Sequence, residues 1–319
     1  MLDQGVAVHR FTEPEEAAAC QPGVFCRITP AGGSRFDATV ARVSLGEVAL
    51  VIGQVSPCLG RLTIGPDRAA IQLPLSNLDS LVVNGVGWCP GLVGAYAAGA
   101  ELLRASRQEN GFATIVLPFP ALDRLLEPQA AARLRAPGDG VLLRAGLPAW
   151  RQAKQIARMA QETMLRAPGV VAQEAPRRAL REALLQAVNE LLLPAGEIPF
   201  SRSFRTRRRI ITSAEEYLCE HRDRPIYTDE LCGALAVSAS SLAEAFRMVF
   251  GISPHRFLKL RRLGMVRAEL RDRDRPRPLV KSVALSHGFW HLGQFAHDYR
   301  DAFGESPSET VARAHGPAA

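Results

Sequence analysis

The sequence predicts an α+β chain in two parts: an amino-terminal β-barrel or sandwich with amphipathic helices, then an all-α domain made of a repeated helical unit. Three observations predict it. Short apolar runs broken by Gly and Pro fill residues 24–119, helical periodicity takes over after Pro120, and a nine-residue pattern near the carboxyl end is written twice. FRMVFGISP at Phe246–Pro254 returns as YRDAFGESP at Tyr299–Pro307, 53 residues later. A fixed spacing between matching segments is the mark of one supersecondary unit used twice.

The totals agree with a folded chain of two domains. Its 319 residues are 47% hydrophobic and 22% charged, the balance of a globular protein with a real core. The charge is uneven: residues 1–201 carry 19 Lys and Arg against 18 Asp and Glu, whereas residues 202–319 carry 20 against 14. The basic surplus lies in the part that holds the repeat, which favours a polyanionic partner, although 36 Arg to 3 Lys is also what a G+C-rich genome produces. The amino terminus has acidic residues and no apolar h-region, so no secretory signal is expected. Residues 80–100 are uncharged and nearly long enough to cross a bilayer. Asn84, Pro90 and the glycines there predict instead a strand, a turn and a small-residue helix, hence no membrane and a cytoplasmic protein.

In the first part, VFCRITP, FDATVARVSL, VALVIGQV, RLTIG, AAIQLPL and ATIVLPF are spaced by turn residues as antiparallel strands are. Phe36, Ala38 and Val40 alternate with polar residues, and the phase then shifts to Val43 and Leu45, which predicts one wet face and a bulge. Beyond Pro120, Trp150, Ala153, Ile156, Ala157, Ala160 and Met164 recur at helical steps, as do Leu180, Ala183, Leu184, Ala187, Val188 and Leu191. The two helices end at Pro168 and Pro194. Their apolar stripes suit either the sheet of the same chain or a second copy. The expected organisation is an effector-binding or dimerisation domain over residues 1–195 (barrel about 20–120, helices about 121–193), a linker over 196–206, and a second domain over 207–315.

The repeat reads as two helix-turn-helix units. In the first, Thr228 or Asp229 caps a helix with Leu231, Cys232 and Leu235 inward, Ala236 and Val237 form the turn, and Ser238 caps a second helix burying Leu242, Ala245, Phe246 and Val249. The second unit sets Val283, Ala284, Gly288 and Phe289 against Leu231, Cys232, Ala236 and Val237, then Phe295, Tyr299, Phe303 and Gly304 against Leu242, Phe246, Phe250 and Gly251. The offset grows from 52 to 53, so its turn is one residue longer. Gly251 and Gly304 suit left-handed C-caps, and Pro254 and Pro307 stop the helix from continuing. Between the units, Phe257, Leu260, Leu263, Val266 and Leu270 predict a connecting helix about 20 Å long. It would hold the units so that their second helices enter successive major-groove faces about 34 Å apart.

Residues from about 210 to 313 resemble the DNA-binding domain of the AraC/XylS family of bacterial transcription regulators. The resemblance rests on ITSAEEYLCEH, the paired units, RRL-x-x-x-R in the connecting helix and GFWHLGQFAHDYRDAFGESPSE. It covers about a third of the chain. It implies a sequence-specific regulator, more often an activator, with double-stranded promoter DNA and RNA polymerase as partners. The family arrangement adds an amino-terminal cupin-like domain that binds a small-molecule effector or forms a homodimer.

On the first recognition helix the outward positions are Ser240, Ser241, Ala243, Glu244 and Arg247, of which the resemblance makes Ser240, Ala243 and Glu244 base-facing. Alanine there offers only a contact to a thymine methyl, and a glutamate accepts from cytosine N4 but repels phosphates. On the second helix the outward residues are His291, Leu292, Gly293, Gln294 and His297. Gln294 suits adenine and His297 suits guanine N7 or a phosphate, while the matched Arg247 and Arg300 suit the backbone.

No enzyme, metal or cofactor is expected. Six of the seven histidines lie at 221 or beyond, leaving only His9 for the barrel, and no G-x-S-x-G or phosphate-binding glycine loop occurs. The six cysteines form no C-x-x-C pair and read as buried thiols. Two alternatives remain: an Ada-type DNA-repair methyl acceptor, which needs four clustered cysteines, and an architectural DNA binder indifferent to sequence.

Overall fold

The computed structural model describes residues 5–20, 23–31, 35–135, 141–193, 196–198, 202–221, 224–274 and 276–316. The chain divides into two compact units. One comprises Met1–Ile28, Asp37–Val55 and Gly60–Phe200, and the other Thr29–Phe36, Ser56–Leu59 and Ser201–Ala319.

Thirteen strands are present among the described residues: β1 (Val6–Phe11), β2 (Val24–Pro30), β3 (Ala38–Leu45), β4 (Val48–Val55), β5 (Cys58–Ile64), β6 (Arg68–Pro74), β7 (Leu81–Val83), β8 (Val86–Gly87), β9 (Leu92–Tyr96), β10 (Glu101–Ser106), β11 (Asn110–Pro118), β12 (Val141–Arg144) and β13 (Gly196–Ile198). They form an eight-stranded sheet in the order β1-β3-β4-β11-β6-β9-β12-β13 and a five-stranded sheet in the order β2-β5-β10-β7-β8. Helix α1 (Pro14–Ala19) precedes β2. After β11 come α2 (Leu122–Leu125), α3 (Pro128–Arg135), α4 (Leu147–Arg166), α5 (Pro168–Ala172) and α6 (Glu174–Leu192).

Side chains alternate across a strand, and here both faces are covered. Ile71, Leu73, Val93, Ala95, Ala113, Ile115 and Leu117 pack under α3, α4 and α6, while Ala70, Leu92, Tyr96 and Leu142 face Leu62, Leu81, Val83 and Leu102 of the smaller sheet. The unit is therefore a sandwich with a helical layer on one side. Trp150 of α4 and Trp88 both donate their indole N–H to the Leu92 carbonyl, each at 3.1 Å, pinning the helical layer to β9.

Four expectations change here. The bulge in FDATVARVSL is absent, because β3 pairs with β4 in unbroken register from Ala38↔Val55 to Leu45↔Val48. A strand covered on both sides needs no wet face, so the phase shift in its apolar residues reflects two buried faces. The small-residue helix expected within residues 80–100 is strand β9, and the turn before it is Asn84-Gly85, both left-handed (φ 49° and 74°), joining β7 to β8. Strand β12 interrupts the segment read as helical; four apolar-rich residues are too short to show a period. Residues 196–206, expected as a linker, hold β13, paired to β12, and the start of the next helix.

The carboxyl-terminal part of the second unit is helical: α7 (Arg202–Glu220), α8 (Thr228–Leu235), α9 (Ala239–Phe250), α10 (Pro254–Arg271), α11 (Val280–Ser286), α12 (Leu292–Phe303) and α13 (Pro307–His315). Helix α10, at 18 residues about 27 Å long, carries apolar residues on all sides: Phe257, Leu258, Leu260, Leu263, Val266 and Leu270 are buried.

Candidate nucleic-acid interface

The two helical pairs, α8–α9 and α11–α12, are built alike. Each turns at a left-handed residue, Ala236 (φ 51°) in the first and Gly288 (φ 77°) in the second. The Ser238 side chain accepts the Ser241 backbone N–H at 3.1 Å and starts α9. Thr228, read as a cap, is instead the first residue of α8; Tyr227 precedes it without a side-chain cap, and Asp229 and Glu230 face the positive end of the helix.

The repeated F-G-x-S-P is a stop and a start combined. Gly251 (φ 68°) and Gly304 (φ 66°) end α9 and α12 in the left-handed conformation. Ser253 and Ser306 then cap α10 and α13, and Pro254 and Pro307 occupy their first positions. Inward, Phe246 and Phe250 pack on Phe257 with ring centroids 5.1 and 5.2 Å away, while Phe295, Tyr299 and Phe303 meet edge to face in sequence at 5.7 and 4.7 Å.

The arginines of RRL-x-x-x-R tie this frame together. Arg261 donates to the carbonyls of Leu218 and His221 at the end of α7, the latter at 2.9 Å. Arg262 donates to Tyr227 Oη at 3.2 Å and lies over the Tyr227 and Phe289 rings. Arg267 meets Glu305 at 3.3 Å, where Thr310 Oγ1 also donates at 2.8 Å and Arg313 reaches Oε2 at 2.5 Å. Burial alone would raise the Glu305 pKa, but the Thr310 hydrogen bond and the two guanidiniums outweigh it and hold the carboxyl below its ordinary range. Lys259 reaches Asp298 of α12 at 2.8 Å, and His287 reaches Glu269 at 2.9 Å. One helix thus contacts both halves of the repeat through named side chains.

Opposite those inner faces, Ser240, Glu244, Arg247, His291, Gln294, His297 and Arg300 are exposed, and Ser241, Ala243 and Leu292 are half-buried. Several already have partners. Ser240 and Ser241 hydroxyls bond to Ser238, Glu244 pairs with Arg207 of α7, Gln294 donates to Asp298 at 3.2 Å, and His297 lies 3.1 Å from Asp301. Leu292 packs against the core of the second unit, so its side chain serves the fold at least in part. The pairing with Arg207 engages the carboxylate that the sequence offers to cytosine. Trp290, absent from the sequence-based selection, stands 74% exposed two residues before the start of α12. Its signal in the sequence was an unmatched aromatic at a turn, where the repeat alignment has no partner.

Among the described residues, no group of three or more His, Cys, Asp or Glu is placed to hold a metal ion, and no single helix is long and apolar enough to cross a membrane. No disulfide joins the six cysteines; Cys58 alone is buried and the others, expected as buried thiols, are half-buried.

Paired short helices with polar, exposed second members define a helix-turn-helix domain, and residues 231–313 match the family described as helix-turn-helix domain. Through this domain the chain is similar to transcription regulators of the AraC/XylS type. It is 35% identical over 112 residues to the XylDLEGF operon transcriptional activator of Pseudomonas putida, covering 35% of this chain and 34% of that one. It is also 35% identical over 102 residues to a probable thc operon regulatory protein of Rhodococcus erythropolis, covering 32% and 31%. A solved structure of a probable AraC family transcriptional regulator from Rhodopseudomonas palustris is 40% identical, covering 33% of this chain and 97% of that chain, with a TM-score of 0.31. The match spans about a third of the length of these curated relatives.

Proposed function

We propose that the protein is a sequence-specific regulator of transcription that binds double-stranded promoter DNA through α9 and α12, acting as an activator. The observation that carries this reading is the pair of exposed, polar-faced helices fixed to one connecting helix by Arg261, Arg262 and Arg267. In this reading Gln294, His297 and Ser240 approach base edges, Arg247 and Arg300 hold the backbone, and Glu244 orients α9 through Arg207. The sandwich unit senses a small molecule or a second copy, and so biases how the DNA-binding unit engages its site and RNA polymerase. The relatives named as operon activators support the sign of regulation. The surroundings are the cytoplasm.

The test is selection of bound duplexes from a random library by the purified chain, followed by titration at several salt concentrations. A selected site bound at least a thousandfold more tightly than random duplex is expected. Equal affinity for both at matched salt means an architectural binder and removes the proposal.

A further inference from the structure

The outward stripe of α9 is not made by α9 alone. Ser240, Glu244 and Arg247 follow one another at steps of four and three residues, so they share one face of the helix, and all three are exposed. Arg207 of α7, a helix outside both helix-turn-helix pairs, reaches onto that stripe and donates from Nη2 to Glu244 Oε1. The Arg207 side chain is 20% exposed and that of Glu244 60%, so the carboxylate is the more solvent-facing member of the pair. Among the described residues neither has another partner, which leaves Glu244 Oε2 to accept and the remaining Arg207 N–H groups to donate.

A lone glutamate facing a groove is unfavourable, because it repels phosphates and must shed water to touch a base. The ion pair changes this. It carries no net charge, and it presents an acceptor beside a set of donors. The major-groove edge of a C·G pair offers the complement, with the cytosine N4 amino group donating beside guanine O6 and N7, which accept. Cytosine N4 and guanine O6 are bonded to each other across the base pair, so donor and acceptor there stand one hydrogen bond apart, as they do between Arg207 and Glu244. An A·T pair also sets a donor beside an acceptor, but it brings the adenine N7 acceptor against the carboxylate and the thymine methyl against the guanidinium.

We propose that Arg207 and Glu244 act as one composite reader of a single C·G base pair, Glu244 Oε2 accepting from cytosine N4 and the Arg207 guanidinium donating to guanine O6 and N7. The proposal rests on α9 lying in the major groove, as in the function proposed above, and adds a specificity residue from α7. Arginine is required in this role, because its planar fork matches two acceptors and an ammonium is a point charge.

The experiment measures the affinity of the full chain, at fixed salt, for the selected duplex and for versions carrying each of the four base pairs at every position under α9. At one position C·G is expected to bind about tenfold or more tightly than the other three. Arg207→Ala, Arg207→Lys and Glu244→Ala should each reduce that preference to about threefold or less, and the Arg207→Ala/Glu244→Ala double variant should reduce it no further, since one reader is already lost. Urea unfolding of each variant should stay close to wild type, as an exposed ion pair contributes little to stability. Full preference in Arg207→Lys overturns the reader, because a pair that only orients α9 survives that exchange. Equal loss on all four base pairs from Arg207→Ala overturns it too, as does a preference that disappears in Glu244→Ala and persists in both Arg207 variants. A chain that selects a site but shows no C·G preference under α9 removes this reader and leaves the regulator standing, whereas a chain that selects no site removes both.

Discussion

The guanidinium of Arg262 lies 4.7 Å from the centre of the Tyr227 ring and donates to its hydroxyl. The same cation sits 5.0 Å from the Phe289 ring, so one side chain of α10 links the entry to the first helix pair with the turn of the second. Planarity matters here, because a guanidinium stacks on two rings while an ammonium presents only a point charge. Arg262→Lys is expected to cost about 2 kcal/mol in urea unfolding and Arg262→Ala more, each with weakened DNA affinity. Unchanged stability in both variants would mean the two halves are held by apolar packing alone.

The two turns should respond oppositely to exchange of glycine and alanine. Gly288→Ala places a methyl 2.3 Å from Tyr227 Oη in a left-handed conformation, so it should destabilise by about 2 kcal/mol or more. Ala236→Gly relieves a left-handed alanine and loses some unfolded-state restriction, for a net gain of up to about 1 kcal/mol. Chemical denaturation of both variants checks the pair of signs.

Glu305 makes the helical unit acid-sensitive. Its folded-state pKa lies below the unfolded value, so its stabilisation is present above the ordinary carboxylate range near pH 4.3 and is lost as pH falls through the folded value. Melting temperature should fall steeply on the acid side, and Glu305→Gln should flatten that slope while costing about 3 kcal/mol at pH 7. A slope unaltered by the substitution would assign the acid sensitivity elsewhere.

Much of the helical unit was legible because its signals are local. Phe246, Phe250, Tyr299 and Phe303 follow the helical period, Gly251 and Gly304 need a left-handed backbone, and Ser238 has the chemistry of a cap. The Ser-Pro that ends each repeat carried a second meaning, the start of α10 and α13, visible only once the following helix is in place. The role of Glu305 was hidden because its partners lie 38 residues back and 5 and 8 residues ahead, distances that no periodic pattern encodes. In the sandwich, alternation failed as a guide where both faces of β3 are buried.

Trp290 offers an optical check on the DNA face. Trp88 and Trp150 are 3% and 6% exposed in the sandwich, whereas Trp290 stands in solvent beside α12. Duplex binding should change the tryptophan emission of the wild-type chain and leave that of Trp290→Phe nearly constant at comparable affinity. A change of equal size in both proteins would place the DNA elsewhere.

Charge and base contacts should separate under salt. Arg300→Ala is expected to weaken binding to every duplex and to reduce the salt slope by about one, while Gln294→Ala relaxes preference at one or two base pairs by about 1–3 kcal/mol. Equal losses on selected and random duplexes from Gln294→Ala would remove it from base readout.

Footprinting of the selected duplex tests the central claim most directly. Two recognition helices carried on α10 should protect two segments of major groove about one helical turn, or roughly 10 base pairs, apart on one side of the duplex. Glu244→Ala should perturb only the segment read by α9, and Gln294→Ala only the one read by α12. A single protected segment, or two that respond together to either substitution, would contradict a pair of independent readers on one connecting helix.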